Sequence, residues 1–573
     1  MKRLLLFLIS FLLPCLPAFP PLEAGVPALT DVSALNKSGD RERAYRSRTF
    51  RAYLPLDELS RIYKVSGYSQ TENPTGIFFR KGESAHIELD GPDTAEVSLL
   101  VRDFRRNGQE SSHPLKIGKN TISLDHDGLG YINYRSAAPL RAAPVSVKIE
   151  GGTINGIFSR ADDNATWKAL LQGACAGILD CVGERVQLAY DVKKLKEHNP
   201  DRGAEMLALH DEIVELQQRL MGWDQEGIHP GSHLLCRVMW NNRFGFGKDS
   251  QGAGFHVDTL GSICNPDSLR KSSWGVAYAI GAVNRVSPGL GWAGLGQVAN
   301  NLFASWCNYR LNPAGWLRLE HEVMENADGE RMRGGRFDCY INNALVRRQL
   351  WQLYNNEGGN RDNVFCTLCP FWQLQLYFAV ARGKKDFYPA IFRDIRSTDE
   401  SGMSNGELRI AFFRRACDAA QLNLTDFFLR LGMLSPMNRR IEDSFVTITR
   451  KMAEDAANRA ARYPAPDTNV LYYITGNSAD IYKHRRNVVV SRDFRPVIWN
   501  GRIEVPANAC QNAVAFEACA GRKLLRVSLL GLNHEDNRST TVICPEGTTA
   551  VKAVQWDGKR YTICKQPADE SRR

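Results

Sequence analysis

Residues 274–303 read WGVAYAIGAVNRVSPGLGWAGLGQVANNLF, and their reading decides the fold. The first part is small and apolar throughout and predicts a buried helix over 274–287. Pro288 and the glycines at 289, 291, 294 and 296 break it, and a second helix is predicted over 293–309. Gly289-Leu290-Gly291-Trp292-Ala293-Gly294 spells the GxGxxG of a dinucleotide site. That fingerprint has to follow a buried strand and open a helix, so that backbone N–H groups meet the pyrophosphate. Here it follows a helix and a proline, so it reads as a connection that lets Trp292 reach a groove.

The same stretch has the frame of a zinc-peptidase helix. In a His-Glu-x-x-His site two imidazoles at i and i+4 grip one Zn²⁺, the Glu acts as general base, and a carboxylate from the next helix is the third ligand. Over this chain the imidazole positions hold Tyr278 and Ala282, the base position holds Ala279, and the third-ligand position holds Gln297. Alanine has no donor atom, tyrosine is an unusual zinc ligand, and a neutral amide oxygen replaces a carboxylate poorly. The expectation is an emptied metal site with no resident cofactor; zinc belongs only to the alternative of an active peptidase with a non-standard site. No His-Glu-x-x-His occurs elsewhere. His321-Glu322 lacks a second histidine and reads as a surface turn, and His256-Val257-Asp258 supplies two groups on a loop, too few for a site.

What remains around the frame suits binding without chemistry. Trp274, Tyr278 and Trp292 offer aromatic faces; Asn284, Arg285, Gln297, Asn300 and Asn301 offer amides and a guanidinium. A sugar or glycopeptide wants that mixture, a ring to lie against and fixed donors and acceptors for its hydroxyls. The competing reading is that Trp274 and Asn300/Asn301 only hold the two helices together.

The wider chain sets the bounds. It has 573 residues, 43% of them hydrophobic, and a formal charge of +10 that is scattered, with no basic motif that argues for nucleic acid; a soluble mixed surface is the expectation, with a weak preference for acidic glycans or an anionic cell surface as the alternative. Lys2-Arg3 followed by Leu4 to Leu13 predicts a signal peptide over 1–24 and export to the envelope or the medium. Cys15 is a candidate lipid anchor, with Pro14 before it a poor fit to such processing. No later apolar run reaches the roughly 18 residues of a spanning helix. With Cys15 set aside, 13 of the 14 cysteines remain, and Cys366-Thr367-Leu368-Cys369 is a CxxC without the second pair of a zinc ribbon.

Residues 25–50 read as a flexible lead-in, and 51–160 as a β-sandwich of short alternating strands. Helical spacing then dominates 161–462, including GERVQLAYDVKKLKE from Gly183 and the stripe Met206, Leu207, Leu209, Ile213, Leu216 and Leu220. A charged amphipathic helix is predicted over 437–461, a linker over 463–469, and a β-domain over 470–565 that opens with VLYYITG.

Taken in order, several phrases resemble the enhancin family of secreted zinc peptidases, metallopeptidase family sixty. NPTGIFFRKGE (73–83) and GLGYINYRS (128–136) are similar to its amino-terminal sandwich, and GERVQLAYDVKKL with HDEIVELQQRLMG to its helical lead-in. WGVAYAIGA aligns with its Trp-Gly-x-x-His-Glu-x-Gly-His and GQVANNLF with its Glu-Val-x-Asn-Asn, while CPFWQLQLYFAVARGKKDFYPAIFRDI and LNLTDFFLRLG resemble the helices behind the cleft. The match spans roughly 48–435. It implies an α+β multidomain chain with a central, mainly helical, gluzincin-like domain, and mucin-type glycoproteins as ligands. It also implies zinc and peptide hydrolysis, which Tyr278, Ala279, Ala282 and Gln297 do not supply. The reading that follows is a catalytically silent glycoprotein- or glycan-binding relative, with the active peptidase and a structural envelope protein as alternatives.

Overall fold

The computed structural model describes residues 32–565 except 106–108, 242–244, 250, 314–318, 320–323, 326–330, 333–334, 349–363, 442–443 and 532–537. The leader with Cys15, and the pair His321-Glu322, lie outside the described residues.

From residue 32 on, the lead-in is folded onto the rest of the chain. Val32–Lys37 and Arg41–Arg46 are short helices. Val32, Leu35 and Tyr45 bury their side chains in a small cluster with Ile157 and Val182. The Tyr45 hydroxyl donates to Asn36 Oδ1 (2.8 Å) and accepts from the Ile157 N–H (3.0 Å). Three apolar side chains among the arginines suffice to dock the segment, although its composition is that of a solvated tail.

Two antiparallel sheets follow. One orders Ser47–Phe50, Val145–Glu150, Ser84–Asp90 and Gly118–Ser123; the other orders Gln109–Leu115, Val97–Asp103, Gly128–Tyr134, Pro74–Phe79 and Thr153–Ile154. Ser84–Asp90 and Val145–Glu150 alternate buried and exposed residues, because one face meets water. Ala85, Ile87, Leu89, Val147 and Ile149 from the first sheet share a core with Ile77, Phe79, Leu99, Val101 and Ile132 from the second. The second sheet is also buried on its far face, where Phe78, Leu100, Leu129 and Tyr131 join the main core. Its inner strands Val97–Asp103, Gly128–Tyr134 and Pro74–Phe79 are therefore buried at nearly every position, whereas the edge strand Gln109–Leu115 is polar and largely exposed. Tyr131 donates its hydroxyl to the buried Asp180 carboxylate (2.9 Å), and Gln187 Nε2 donates to the same group (3.2 Å).

The central unit holds more sheet than a mainly helical reading allows. Six strands run in the order Ile157–Ser159, Ile178–Val182, Val186–Asp191, Leu234–Met239, Gly252–His256 and Phe246–Asp249. The segment from Gly183 divides into the strand Val186–Asp191 and the helix Val192–His198, with Asp191 capping the helix through the Lys194 N–H (2.9 Å). Val186, Leu188, Ala189 and Tyr190 are all buried. Burial on both faces erases the two-residue alternation, and a short apolar run then imitates a helix. The predicted stripe on Gly203–Leu220 is buried at all six positions. Edge strand Phe246–Asp249 and strand Gly252–His256 carry the motif helix, Trp274–Val283, which packs in turn on the helix Val298–Leu311.

Toward the carboxy terminus, 437–461 is a hairpin, Met437–Ile441 with Ser444–Ile448, followed by the helix Arg450–Ala460, rather than one helix. Ile441, Val446 and Ile448 point into the core, and Thr449 caps the helix through the Met452 N–H. VLYYITG is not a strand: Leu471–Tyr473 is a short 3₁₀ turn whose Tyr473 hydroxyl donates to Glu517 Oε1 (2.9 Å). The sheet beyond orders Lys523–Leu529, Ala515–Ala520, Ala550–Val554 and Arg560–Lys565. Among the described residues, one 18-residue helical span, Val364–Ala381, is apolar enough by composition to cross a membrane, and 78% of it is buried inside this fold. The cysteines of the described residues are free thiols, nearly all buried.

Candidate functional site

Gly281 sets the geometry of the site. A Cβ there would lie 3.0 Å from the Asn300 carbonyl oxygen and 3.1 Å from Phe303 Cβ. Such contacts are tighter than ordinary packing, so the close approach of the motif helix to the helix Val298–Leu311 favours glycine here. Their junction opens into a groove of about 1120 Å³, closed by the edge strand Phe246–Asp249, by residues of the 56–70 segment, and by Arg336, Val364 and Phe365.

Tyr278, Ala282 and Gln297 line this groove together. Helical spacing puts positions 278 and 282 on one face, and the helix pairing brings Gln297 opposite. Ala279 is wholly buried and is not among the residues that line the groove. The Tyr278 ring turns onto Phe246, edge to face, with centroids 5.7 Å apart. Gln297 is exposed at the start of its helix, and its carbonyl accepts from both the backbone N–H (3.1 Å) and Nδ2 (2.9 Å) of Asn301.

Of the other expected contacts, Trp274, Arg285, Asn300 and Asn301 line the groove. Trp274 meets Phe365 at 5.6 Å, and Arg285 donates to the Gly296 carbonyl (2.8 Å). Trp292 and Asn284 require correction. Trp292 is 1% exposed and packs on Phe371 and Phe412 at 6.3 and 5.7 Å. The glycine-rich connection turns inward at this point, with the Ala293 N–H donating to Asn405 Oδ1 (2.9 Å). Asn284 is fully buried; it accepts from the Tyr68 hydroxyl (3.0 Å) and donates to Gln217 Oε1 (3.0 Å), while Gln217 Nε2 donates to the Ala277 carbonyl (2.7 Å). Its amide is spent on tying the motif helix to its neighbours.

Residues 230–265 read as strands and Gly-rich loops flanking a groove, and the edge strand Phe246–Asp249 does flank it, but that reading does not single out its Lys248 and Asp249 as site residues. Lys248 donates to Ser66 Oγ (2.5 Å), and Asp249 is ion-paired with Arg237. Desolvation, then the field of Arg285, pulls the Lys248 ammonium below its usual range, against a smaller opposing pull from Asp249. The Gly-flanked phrase Gly245-Phe246-Gly247-Lys248 was the available signal, since glycines on both sides of a lysine favour a turn at a groove rim. Nothing in residues 56–70 marked them as part of the site.

The donor set does not suit zinc. The three frame positions facing the groove offer a phenol, a methyl group and a neutral amide, and the charged side chains lining it are the cations Lys248, Arg285 and Arg336 with the carboxylates Asp57 and Asp249. Among the described residues, no group of three or more His, Cys, Asp and Glu side chains is placed to hold a metal ion. His256 and Asp258 stand 3.4 Å apart on their loop, outside the groove.

Residues 159–432 match the family model described as peptidase M60, enhancin and enhancin-like. No curated protein sequence matches the chain. Among solved structures, a metallopeptidase from Bacteroides thetaiotaomicron superposes with a TM-score of 0.71 at 23% identity, over 92% of this chain and 91% of its own. A metallopeptidase in complex with Tn antigen gives 0.70 at 23% identity, over 92% and 100%. The M60 catalytic domain of Clostridium perfringens ZmpC, in complex with the sialyl T antigen, gives 0.67 at 15% identity, over 90% and 99%. At these identities the likeness concerns the fold.

Proposed function

With residues 159–432 an enhancin-like M60 peptidase-family segment, we propose that this chain is an exported, catalytically silent member that binds mucin-type glycoproteins in the groove between Trp274–Val283 and Val298–Leu311. One observation carries the reading: Tyr278, Ala282 and Gln297 occupy one groove wall, where ligand chemistry would have to be, and supply none of it. The groove meanwhile keeps the equipment of sugar recognition, in the aromatic faces of Trp274, Tyr278 and Phe365 and the amides of Gln297, Asn300 and Asn301. Two structures of the same fold hold mucin-type glycans, the Tn and sialyl T antigens. In this account 1–24 is a leader, 51–160 a sandwich, 161–462 the peptidase-fold unit and 470–565 a β-domain.

The test is a titration of the full chain with a mucin-type O-glycopeptide, followed by mass spectrometry of the peptide. Saturable binding with the peptide intact is expected. Cleavage of the glycopeptide would refute the silent reading; absence of binding would refute the glycan reading.

A further inference from the structure

The packing that forms one wall of the groove also brings two thiols together. Arg336 lies on the helix Gly335–Ile341 and Phe365 on the helix Val364–Gln375, and both line the groove. The Arg336 guanidinium sits over the Phe365 ring at 5.3 Å, and that ring meets Trp274 of the motif helix at 5.6 Å. Cys339 stands one helical turn beyond Arg336, and Cys366 directly follows Phe365. Residues three apart share a helix face. Cys366 Sγ, which donates to the Arg336 carbonyl (3.7 Å), therefore lies against the face that carries Cys339. The two thiols hydrogen-bond to one another.

The pair is asymmetric. Cys339 is half-buried and Cys366 is fully buried. Cys339 Sγ also accepts from Asn343 Nδ2 (3.4 Å). The bond from Cys366, aided by the fields of Arg336 and Arg347, pulls the Cys339 thiol below its usual range against burial and Asp338. The same bond, then burial, pushes Cys366 well above it. The nearby Cys369 thiol donates to the Phe365 carbonyl within its own helix (3.3 Å). Among the described residues no three ligand-type side chains are gathered for a metal ion. A reachable, acidified thiol beside a buried one suits an attacking and a resolving cysteine.

We propose that Cys339 and Cys366 are a redox pair that closes to a disulfide and clamps the groove wall bearing Arg336 and Phe365. The co-reactant is a small-molecule disulfide, a class of oxidant available outside the cytosol. The Cys339 thiolate attacks one of its sulfurs, the S–S bond breaks, and one small thiolate leaves. Cys366 then gives up its proton, attacks the Cys339 sulfur and expels the second small thiolate. Two protein thiols are oxidised, and one disulfide is reduced to two thiols. The bridge joins the two helices beside the contact of Arg336 with Phe365, so the ring that faces the groove is held in one place. Its effect on ligand binding rests on the glycan-binding reading given above; the cross-link itself does not.

The experiment equilibrates the full, folded chain with oxidised glutathione, alkylates the remaining thiols and maps the peptides by mass spectrometry without reduction. A bridge from Cys339 to Cys366 is expected. Cys366→Ser should instead trap glutathione on Cys339, and Cys339→Ser should leave Cys366 reduced. In the parent chain, amide hydrogen exchange of both helices should slow about tenfold or more on bridging. Cys339 and Cys366 both still reduced, or Cys366 bridged to Cys369, overturns the pair. A bridge that leaves exchange unchanged overturns the clamp. The map and the exchange use the parent chain, so a folding defect in a variant does not blunt them. Neither needs a glycopeptide, so a chain that bridges but binds no glycan counts against the glycan reading alone.

Discussion

The Tyr278 ring lies edge-on to Phe246, centroids 5.7 Å apart with an interplanar angle of 71°. The residue that replaces the first imidazole of the peptidase frame is thereby packed against the edge strand that walls the groove. The helix frame itself is undisturbed, since Tyr278, Ala282 and Gln297 still face one space. Tyr278→His, Ala282→His and Gln297→Glu made together should therefore restore a three-ligand site. Such sites hold zinc with an open fourth position. The triple variant should retain about one zinc equivalent after dialysis, and any single substitution far less.

Gly281 has no room for a branched side chain. Gly281→Val would press its Cβ into the Asn300 carbonyl and Phe303. Overpacking of this kind costs about 1–3 kcal/mol. Denaturant midpoints should fall accordingly, and glycopeptide affinity should fall with them because the same helix pair frames the groove.

Trp274 and Trp292 should separate cleanly. Trp274→Ala removes an aromatic face from the groove and should weaken glycopeptide binding by roughly tenfold, about 1.4 kcal/mol of ring contact. Trp292→Ala opens a cavity against Phe371 and Phe412. It should cost about 3–5 kcal/mol of stability, visible as a lowered melting temperature before any ligand is added.

These two tryptophans also mark what was legible. The motif positions, the stripe of Gly203–Leu220 and the alternating strands around Ile87 and Val147 follow from local spacing, and local spacing survives in the sequence. The depth of Trp292 does not. It depends on Phe371 and Phe412, some eighty and one hundred and twenty residues away. Asn284 looked like a groove amide for the same reason, because its partners Tyr68 and Gln217 are remote in the chain. The strand Val186–Asp191 was hidden by burial on both faces. Lys248 was within reach of the reading but had no paired signal from residues 56–70, which complete its wall.

Asp180 gives the fold a pH dependence. Burial pushes its carboxyl from an ordinary 3.8 up to about 7, against the hydrogen bonds from Tyr131 and Gln187. A folded-state value above the unfolded one means that the folded state holds the proton more tightly. Its contribution is full below about pH 4 and is lost as pH rises toward 7. Melting temperatures followed from pH 4 to 8 should show this loss in the parent chain, and Asp180→Asn, which keeps an acceptor for Tyr131 without the charge, should flatten it.

The central claim is that Tyr278, Ala279, Ala282 and Gln297 leave no zinc site. Elemental analysis of the purified chain after dialysis without chelator tests it most directly. The account predicts zinc well below one equivalent per chain. About one tightly held equivalent, retained through dialysis, would contradict it and return the chain to the active peptidases.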